Sequence, residues 1–105
     1  MSEDGWVAVC ATDDIDREDV IGIEHDGHAL AVYRSPEDTF HVTDAFCTHE
    51  RAELADGLVM GHLIECPKHN GRFDYTTGEA RRVPAREPLC VHPVRVLDGR
   101  VYVRL

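Results

Sequence analysis

Apolar and polar residues alternate along much of the chain, in the pattern of half-buried β-strands. Two such segments, 20–25 and 28–33, lie on either side of Asp26-Gly27. Segments 94–97 and 100–104 lie in the same way around Asp98-Gly99. Asp-Gly between alternating segments favours a two-residue turn, because both turn positions need positive φ. The pattern therefore predicts two β-hairpins.

Other short segments are also rich in β-forming residues. Five of them are predicted to be strands: 6–10, 39–43, 62–65, 72–75 and 89–92. A short helical turn is predicted at 15–19, and the segment between Pro84 and Pro88 is expected to be a loop with little regular structure. Many short strands at this spacing predict one all-β domain over residues 1–105, an antiparallel sandwich or barrel.

Acidic residues are concentrated in the first part of the chain. Residues 1–44 carry a net charge of −10, residues 45–105 a net charge of +1, and the whole chain −9. Nucleic acid is therefore not an expected ligand, because phosphate binding needs clustered Lys and Arg. No apolar run approaches the ~20 residues of a membrane span, and the acidic start lacks the basic flank of a signal peptide. We expect a cytoplasmic protein that does not bind membranes.

Two unequal Cys/His pairs follow predicted strands. Cys47 and His49 are separated by one residue, Cys66 and His69 by two, and 16 residues lie between the pairs. Two loops at strand ends can lie side by side and direct four ligands to one place. Zinc would accept two cysteines and two histidines in a closed tetrahedral site. A [2Fe–2S] cluster would accept two cysteines on one iron and two histidines on the other.

The distribution of ligands between the loops favours iron over zinc. Zinc modules usually place like ligands together in each half of the site, whereas each loop here supplies one cysteine and one histidine. The remaining cysteines, Cys10 and Cys90, are in apolar contexts and are expected to be small buried hydrophobes. The remaining histidines are expected to be ordinary surface or core residues: His25, His28, His41, His62 and His92.

The spacing of these pairs resembles the ligand motif of the Rieske family. The resemblance continues through the run 66–74, the turn 76–80 and a third, proline-bearing loop at 83–89, and so covers nearly the whole chain. It implies a Rieske-type [2Fe–2S] cluster, with Cys47 and Cys66 holding one iron as thiolates and His49 and His69 holding the other. It also implies a β-sandwich in which residues of about 44–80 form a small cluster-binding subdomain.

Two departures are informative within that family. High-potential Rieske proteins carry a disulfide between the cluster loops, at positions that are Ala52 and Lys68 in this chain. They also carry serine and tyrosine hydroxyls near the cluster sulfurs, where this chain has Gly71 and Phe73. On both counts the chain is similar to soluble ferredoxins of aromatic-ring-hydroxylating dioxygenase systems, and we expect a potential near the lower end of the Rieske range.

The resemblance implies an electron carrier rather than an enzyme. Its expected partners are an NAD(P)H-dependent flavin reductase and a terminal Rieske non-haem iron oxygenase of aromatic hydrocarbon catabolism, and a monomer is expected. Arg51, Lys68 and Arg72 flank the ligands and would frame the docking surface. Two alternatives stay open: a Rieske-like small subunit of a larger enzyme such as nitrite reductase, and a structural zinc module.

Overall fold

The computed structural model describes residues 5–48, 51–68 and 70–105, and these are almost entirely β-strand and connecting loop. The described strands are β1 (Trp6–Ala11), β2 (Asp19–His25), β3 (His28–Arg34), β4 (Phe40–Asp44), β5 (Leu58–Met60), β6 (Leu63–Glu65), β7 (Arg72–Asp74), β8 (Ala80–Arg82), β9 (Val91–His92), β10 (Val94–Leu97) and β11 (Arg100–Arg104). Two short 3-10 helices occupy Thr12–Asp14 and Leu54–Asp56. Neither is long or apolar enough to span a membrane, nor is any other helix in the described ranges.

The strands form three antiparallel sheets, which confirms the predicted all-β class. Their orders are β1-β11-β10, β2-β3-β4-β9 and β5-β6-β7-β8. Both Asp-Gly hairpins are present: His25 pairs with His28, and Leu97 pairs with Arg100. Asp26 and Gly27 adopt φ of 50° and 80°, as the turn chemistry requires.

Strand β3 is central because both of its faces are buried. Leu30 and Val32 belong to one apolar cluster, which includes Val101 of β11. Ala31 and Tyr33 belong to a second cluster, on the opposite face of the sheet. The near-continuous apolar sequence of β3 fits a strand that contacts two cores. The second cluster contains the two cysteines of the sequence motif, so β3 packs directly against the candidate site.

The predicted helical turn at 15–19 is wrong. The helical residues are Thr12–Asp14, where the Asp14 carboxylate accepts a 2.9 Å hydrogen bond from the Ala11 amide. Ile15 turns instead into the core and is 1% exposed, while Asp19 already begins β2. Burial of the isoleucine therefore decides the backbone path at this point, against the polar residues that favoured a surface turn.

Candidate metal centre

The first candidate loop follows β4 and is closed by backbone hydrogen bonds. Phe46 pairs with Glu53 in an isolated antiparallel bridge. The Cys47 amide donates to the Ala52 carbonyl at 2.9 Å, and the Cys47 side chain is buried. Cys47 is thus held at the start of a tight loop, directly against the apolar cluster.

The second candidate loop, between β6 and β7, is closed in the same way. The Cys66 amide donates to the Gly71 carbonyl at 2.7 Å, just beyond the paired residues Glu65 and Arg72. In both loops a buried cysteine bonds the carbonyl of the fifth residue after it. The two short stretches of sequence therefore fold into equivalent loops.

A backbone donor also faces the sulfur of the second loop. The Lys68 amide lies 3.5 Å from Cys66 Sγ and donates to it. Asn70 has a φ of 60°, a conformation that asparagine tolerates better than most residues. A backbone donor directed at sulfur stabilises negative charge there, which suits a thiolate ligand.

A third loop covers the first. The Thr48 hydroxyl donates to the Glu87 carbonyl at 2.7 Å. Ala85 and Leu89 are buried in the same cluster as the two cysteines. The segment between Pro84 and Pro88 contains no strand or helix, as predicted from its prolines. Three loops that are distant in sequence therefore meet around the cysteines.

Two stacked tyrosines lie beneath the site. The rings of Tyr33 and Tyr75 are parallel, with centroids 4.6 Å apart. The Tyr33 hydroxyl is hydrogen-bonded to Thr43 Oγ1 at 2.8 Å, and that of Tyr75 donates to the Gly61 carbonyl at 2.6 Å. Burial is the main reason that the pKa of Tyr33 is raised, and negative charges on Tyr75 and Cys47 raise it further. Burial likewise raises the pKa of Tyr75 to about 12. Both phenols therefore stay neutral.

Of the four sequence-predicted ligands, the structure brings Cys47 and Cys66 into one apolar cluster. His49 and His69 lie outside the described residues. Cys10 is half-buried in β1, where burial and then Asp14 raise its pKa to about 11. Its thiol is therefore protonated and remote in sequence from the loops. None of the four cysteines forms a disulfide.

One expectation about a side chain near the site is wrong. Cys90 is exposed rather than buried, and it lies just before the edge strand β9. The cations expected to frame a docking surface differ in their side-chain contacts. Arg72 is paired with Glu65 at 2.9 Å, whereas Arg51 is exposed and stacks over the ring of Phe46 at 4.5 Å.

Sequence reasoning missed one cluster of polar side chains beside the first loop. His28, Asp44 and His92 have ligand atoms within 4.8 Å of one another. They belong to three different strands, and no short motif in the sequence connects them. Only the register of β3, β4 and β9 brings them together, so no local signal could have found them.

Comparison with known proteins accounts for the paired cysteine loops. Residues 5–97 match the family model of the Rieske [2Fe-2S] domain. The chain belongs to the Rieske family. A ferredoxin component of the naphthalene 1,2-dioxygenase/salicylate 5-hydroxylase systems of a Ralstonia species is 37% identical over 100 residues, which are 95% of each chain.

Solved Rieske structures resemble the whole chain. A structure of reduced oxygenase with oxidized ferredoxin in carbazole 1,9a-dioxygenase contains a chain that is 39% identical, with a TM-score of 0.90. The match covers 97% of this chain and 94% of that one. A Mycobacterium tuberculosis protein described as an NADH-dependent nitrite reductase small subunit matches over 95% and 94% of the two chains with a TM-score of 0.84. It is only 22% identical, so this likeness concerns the fold alone.

A Rieske domain implies a [2Fe–2S] cluster, and the described residues fit one. Two buried cysteines that are not in a disulfide begin equivalent loops, and a backbone donor faces one of the sulfurs. Buried thiolates surrounded by apolar side chains and amide donors are a suitable setting for iron.

Proposed function

We propose that Cys47, His49, Cys66 and His69 bind one [2Fe–2S] cluster, with both cysteines on one iron and both histidines on the other. The main support is the equivalence of the two loops, each of which presents a buried cysteine from a closed hairpin-like turn. His49 and His69 would supply the remaining two ligands, and their assignment rests on the spacing of each histidine from its cysteine in the sequence. Residues of about 44–80 would form the cluster-binding subdomain.

Cys47, His49, Cys66 and His69 would together complete the coordination of both irons. Such a cluster accepts and gives one electron and offers no open position to a substrate. The protein is therefore an electron carrier and not itself a catalyst. The burial of Cys47 and Cys66 would protect the thiolates from water, and the Lys68 amide would stabilise the negative charge on the Cys66 sulfur.

The proposed reaction is relay of single electrons from an NAD(P)H-dependent flavin reductase to a terminal Rieske non-haem iron oxygenase. Relatives of nearly the same length are ferredoxin components of such dioxygenase systems. We further propose that the carrier works as a cytoplasmic monomer. The aromatic substrate would contact the oxygenase and not this chain.

The cluster assignment is tested by the iron and sulfide content of purified variants. The parent should contain two irons and two sulfides per chain and show the visible spectrum of a Rieske centre. Cys47→Ser and Cys66→Ser should lose most of the iron, since each removes a thiolate ligand. The matched controls Cys10→Ser and Cys90→Ser should keep the parent content. Stoichiometric zinc in place of iron, or loss of the spectrum in either control, would contradict the assignment.

The electron-carrier role is tested by stopped-flow mixing. A flavin reductase with NAD(P)H should reduce the protein, and a terminal oxygenase should reoxidise it within the same system. A protein that remained in a stable large complex and never exchanged between partners would instead favour the enzyme-subunit alternative.

A further inference from the structure

A cluster of two histidines and one aspartate lies in the β2-β3-β4-β9 sheet, at the end where the turn of the β2–β3 hairpin lies. His28 Nε2 and His92 Nε2 lie 2.9 Å and 2.8 Å from the same oxygen, Asp44 Oδ1. The two imidazole rings are edge-to-face with centroids 5.3 Å apart. Three potential metal ligands therefore converge on one point from three strands.

Strand register holds the three side chains in place. Asp44 pairs with Leu30 of β3, so His28, two residues before Leu30, lies on the same face of the sheet. His92 pairs with Val42, two residues before Asp44, which places it on that face too. Because each ligand stands on a paired strand, the geometry is fixed by backbone hydrogen bonds rather than by a flexible loop.

The donor set is one that divalent transition metals bind. Imidazole nitrogen and carboxylate oxygen bind Zn²⁺ at about 2.0–2.2 Å, and three protein ligands leave a further position for water. A tetrahedral ion at such distances needs N···O separations of about 3.3 Å, only a few tenths of an ångström longer than those observed. The metal would replace the two Nε2 protons that now face the carboxylate.

Solvent can reach this point, as a metal with an open position requires. The side chains of His28 and Asp44 are 42% and 43% exposed, and that of His92 is 12% exposed. His28 and Asp44 also line a surface depression together with Gly27 and Phe46. One ligand is thus buried enough to anchor the ion, while two remain accessible for its entry.

We propose that His28, Asp44 and His92 form a second metal site, separate from the iron–sulfur centre, that binds one divalent transition metal of the Zn²⁺ type. Asp44 is three residues before Cys47 and ends the strand that leads into the first cluster loop. Its amide also donates to the Cys90 carbonyl at 3.0 Å, next to β9. A bound ion cross-links β3, β4 and β9 at the base of that loop.

The test is titration of the cluster-loaded protein with Zn²⁺ by calorimetry, with the visible spectrum followed in parallel. One zinc ion should bind per chain while the cluster absorbance stays constant. His28→Gln, Asp44→Asn and His92→Gln should each weaken binding by tenfold or more. Zinc should also raise the apparent melting temperature of the parent, because a ligand that binds only the folded state stabilises it.

Two controls separate this site from other zinc ligands. His25→Gln changes the histidine directly across the hairpin from His28, and should leave zinc affinity within twofold of the parent. Cys90→Ser removes the exposed thiol two residues before His92 and should also leave the zinc affinity unchanged. The His28 side chain is 42% exposed and begins β3 beside the hairpin turn, so His28→Gln should retain the parent visible spectrum and give a readable result even if the other two variants fold poorly. Absence of zinc binding, undiminished binding by His28→Gln, or binding only as cluster absorbance is lost would overturn the proposal.

Discussion

Phe73 is the residue through which the potential of the proposed cluster can be tested most directly. It is fully buried in the same apolar cluster as Cys47 and Cys66. The sequence resemblance places a tyrosine at this position in high-potential Rieske proteins. A hydroxyl added here would bond cluster sulfur more strongly in the reduced state, because the extra electron raises the negative charge.

We predict that Phe73→Tyr raises the reduction potential by about 60 mV, which corresponds to a hydrogen-bond difference of ~1.4 kcal/mol. Protein-film voltammetry measures it. Tyr75→Phe is the control, since the Tyr75 hydroxyl donates to the Gly61 carbonyl and its removal should leave the potential unchanged. If Phe73→Tyr kept the parent potential and an intact visible spectrum, the lack of a hydroxyl at this position would not be a cause of a low reduction potential.

A second residue-scale prediction concerns the exposed pair His62 and Glu37, whose Nε2 and Oε1 atoms are 2.6 Å apart. Their hydrogen bond is the main cause that raises the pKa of His62 above 6.5 and lowers the pKa of Glu37 below 4.5. The contribution of His62 is lost as pH rises through its raised pKa. That of Glu37 is lost as pH falls through its lowered pKa. The pair is therefore most stabilising between 4.5 and 6.5.

Glu37→Gln should lower the pKa of His62 towards its ordinary value, because it removes the carboxylate partner. An NMR titration of the His62 ring in both proteins checks the direction. Glu24→Gln makes the same charge change on β2 and should leave the pKa of His62 unchanged. If both variants shifted His62 equally, general charge rather than the specific pair would be responsible.

At the scale of elements, Gly78 joins the β7–β8 turn to the third loop. Its amide donates to the Asp74 carbonyl at 2.6 Å, and its carbonyl accepts from the Leu89 amide at 2.7 Å. Its φ is 85°, and a Cβ at this position would overlap the Leu89 carbonyl oxygen. Only glycine therefore allows this close approach of the two chain segments.

Gly78→Ala should lower the free energy of unfolding by the sum of two costs. The positive φ costs a residue with a Cβ about 1–2 kcal/mol, and the overlap a further ~1–3 kcal/mol. Gly99→Ala isolates the first cost, since Gly99 has a φ of 76° and nothing within 4 Å of an added Cβ. Denaturant unfolding of the three proteins compares them. Equal losses in both variants would mean that the third loop moves away at little cost.

At the scale of the whole molecule, charge is distributed unevenly, and two cations remain exposed beside the proposed cluster. Arg51 and Lys68 lie in the two cluster loops, and Arg72, at the start of β7, is paired with Glu65. The whole chain, by contrast, carries a net charge of −9. Cations at the rim of a docking surface act mainly on the rate of association and its dependence on salt.

We expect Arg51→Gln and Lys68→Gln to slow electron transfer to the terminal oxygenase several-fold at low ionic strength, with the difference disappearing as salt screens the charges. Stopped-flow rates at a series of salt concentrations measure this. Arg100→Gln makes the same charge change in the β1-β11-β10 sheet and should have no comparable effect. A uniform effect of all three variants would indicate that net charge, and not a local surface, controls association.

The sequence by itself determined most of the strands, both hairpins and the spacing of the proposed ligands. These features depend on interactions within a few residues: alternation of period two, Asp-Gly turns with positive φ, and cysteine and histidine one or two residues apart. The same local reasoning failed at 15–19, where burial of Ile15 displaced the predicted turn. It also missed β5 and β8, the two edge strands of the β5-β6-β7-β8 sheet, each of which has three residues and only one neighbouring strand.

Tertiary structure alone decided which distant residues meet. The contact between the Thr48 hydroxyl and the Glu87 carbonyl spans 39 positions, and that between Asp44 and His92 spans 48. The stacking of Tyr33 on Tyr75 likewise joins β3 to the turn that follows β7. Such contacts depend on sheet order and on the packing of two cores against β3, and neither leaves a trace in the spacing of neighbouring residues. The motif could therefore be read along the chain, whereas the surroundings that make it a site could be seen only in the fold.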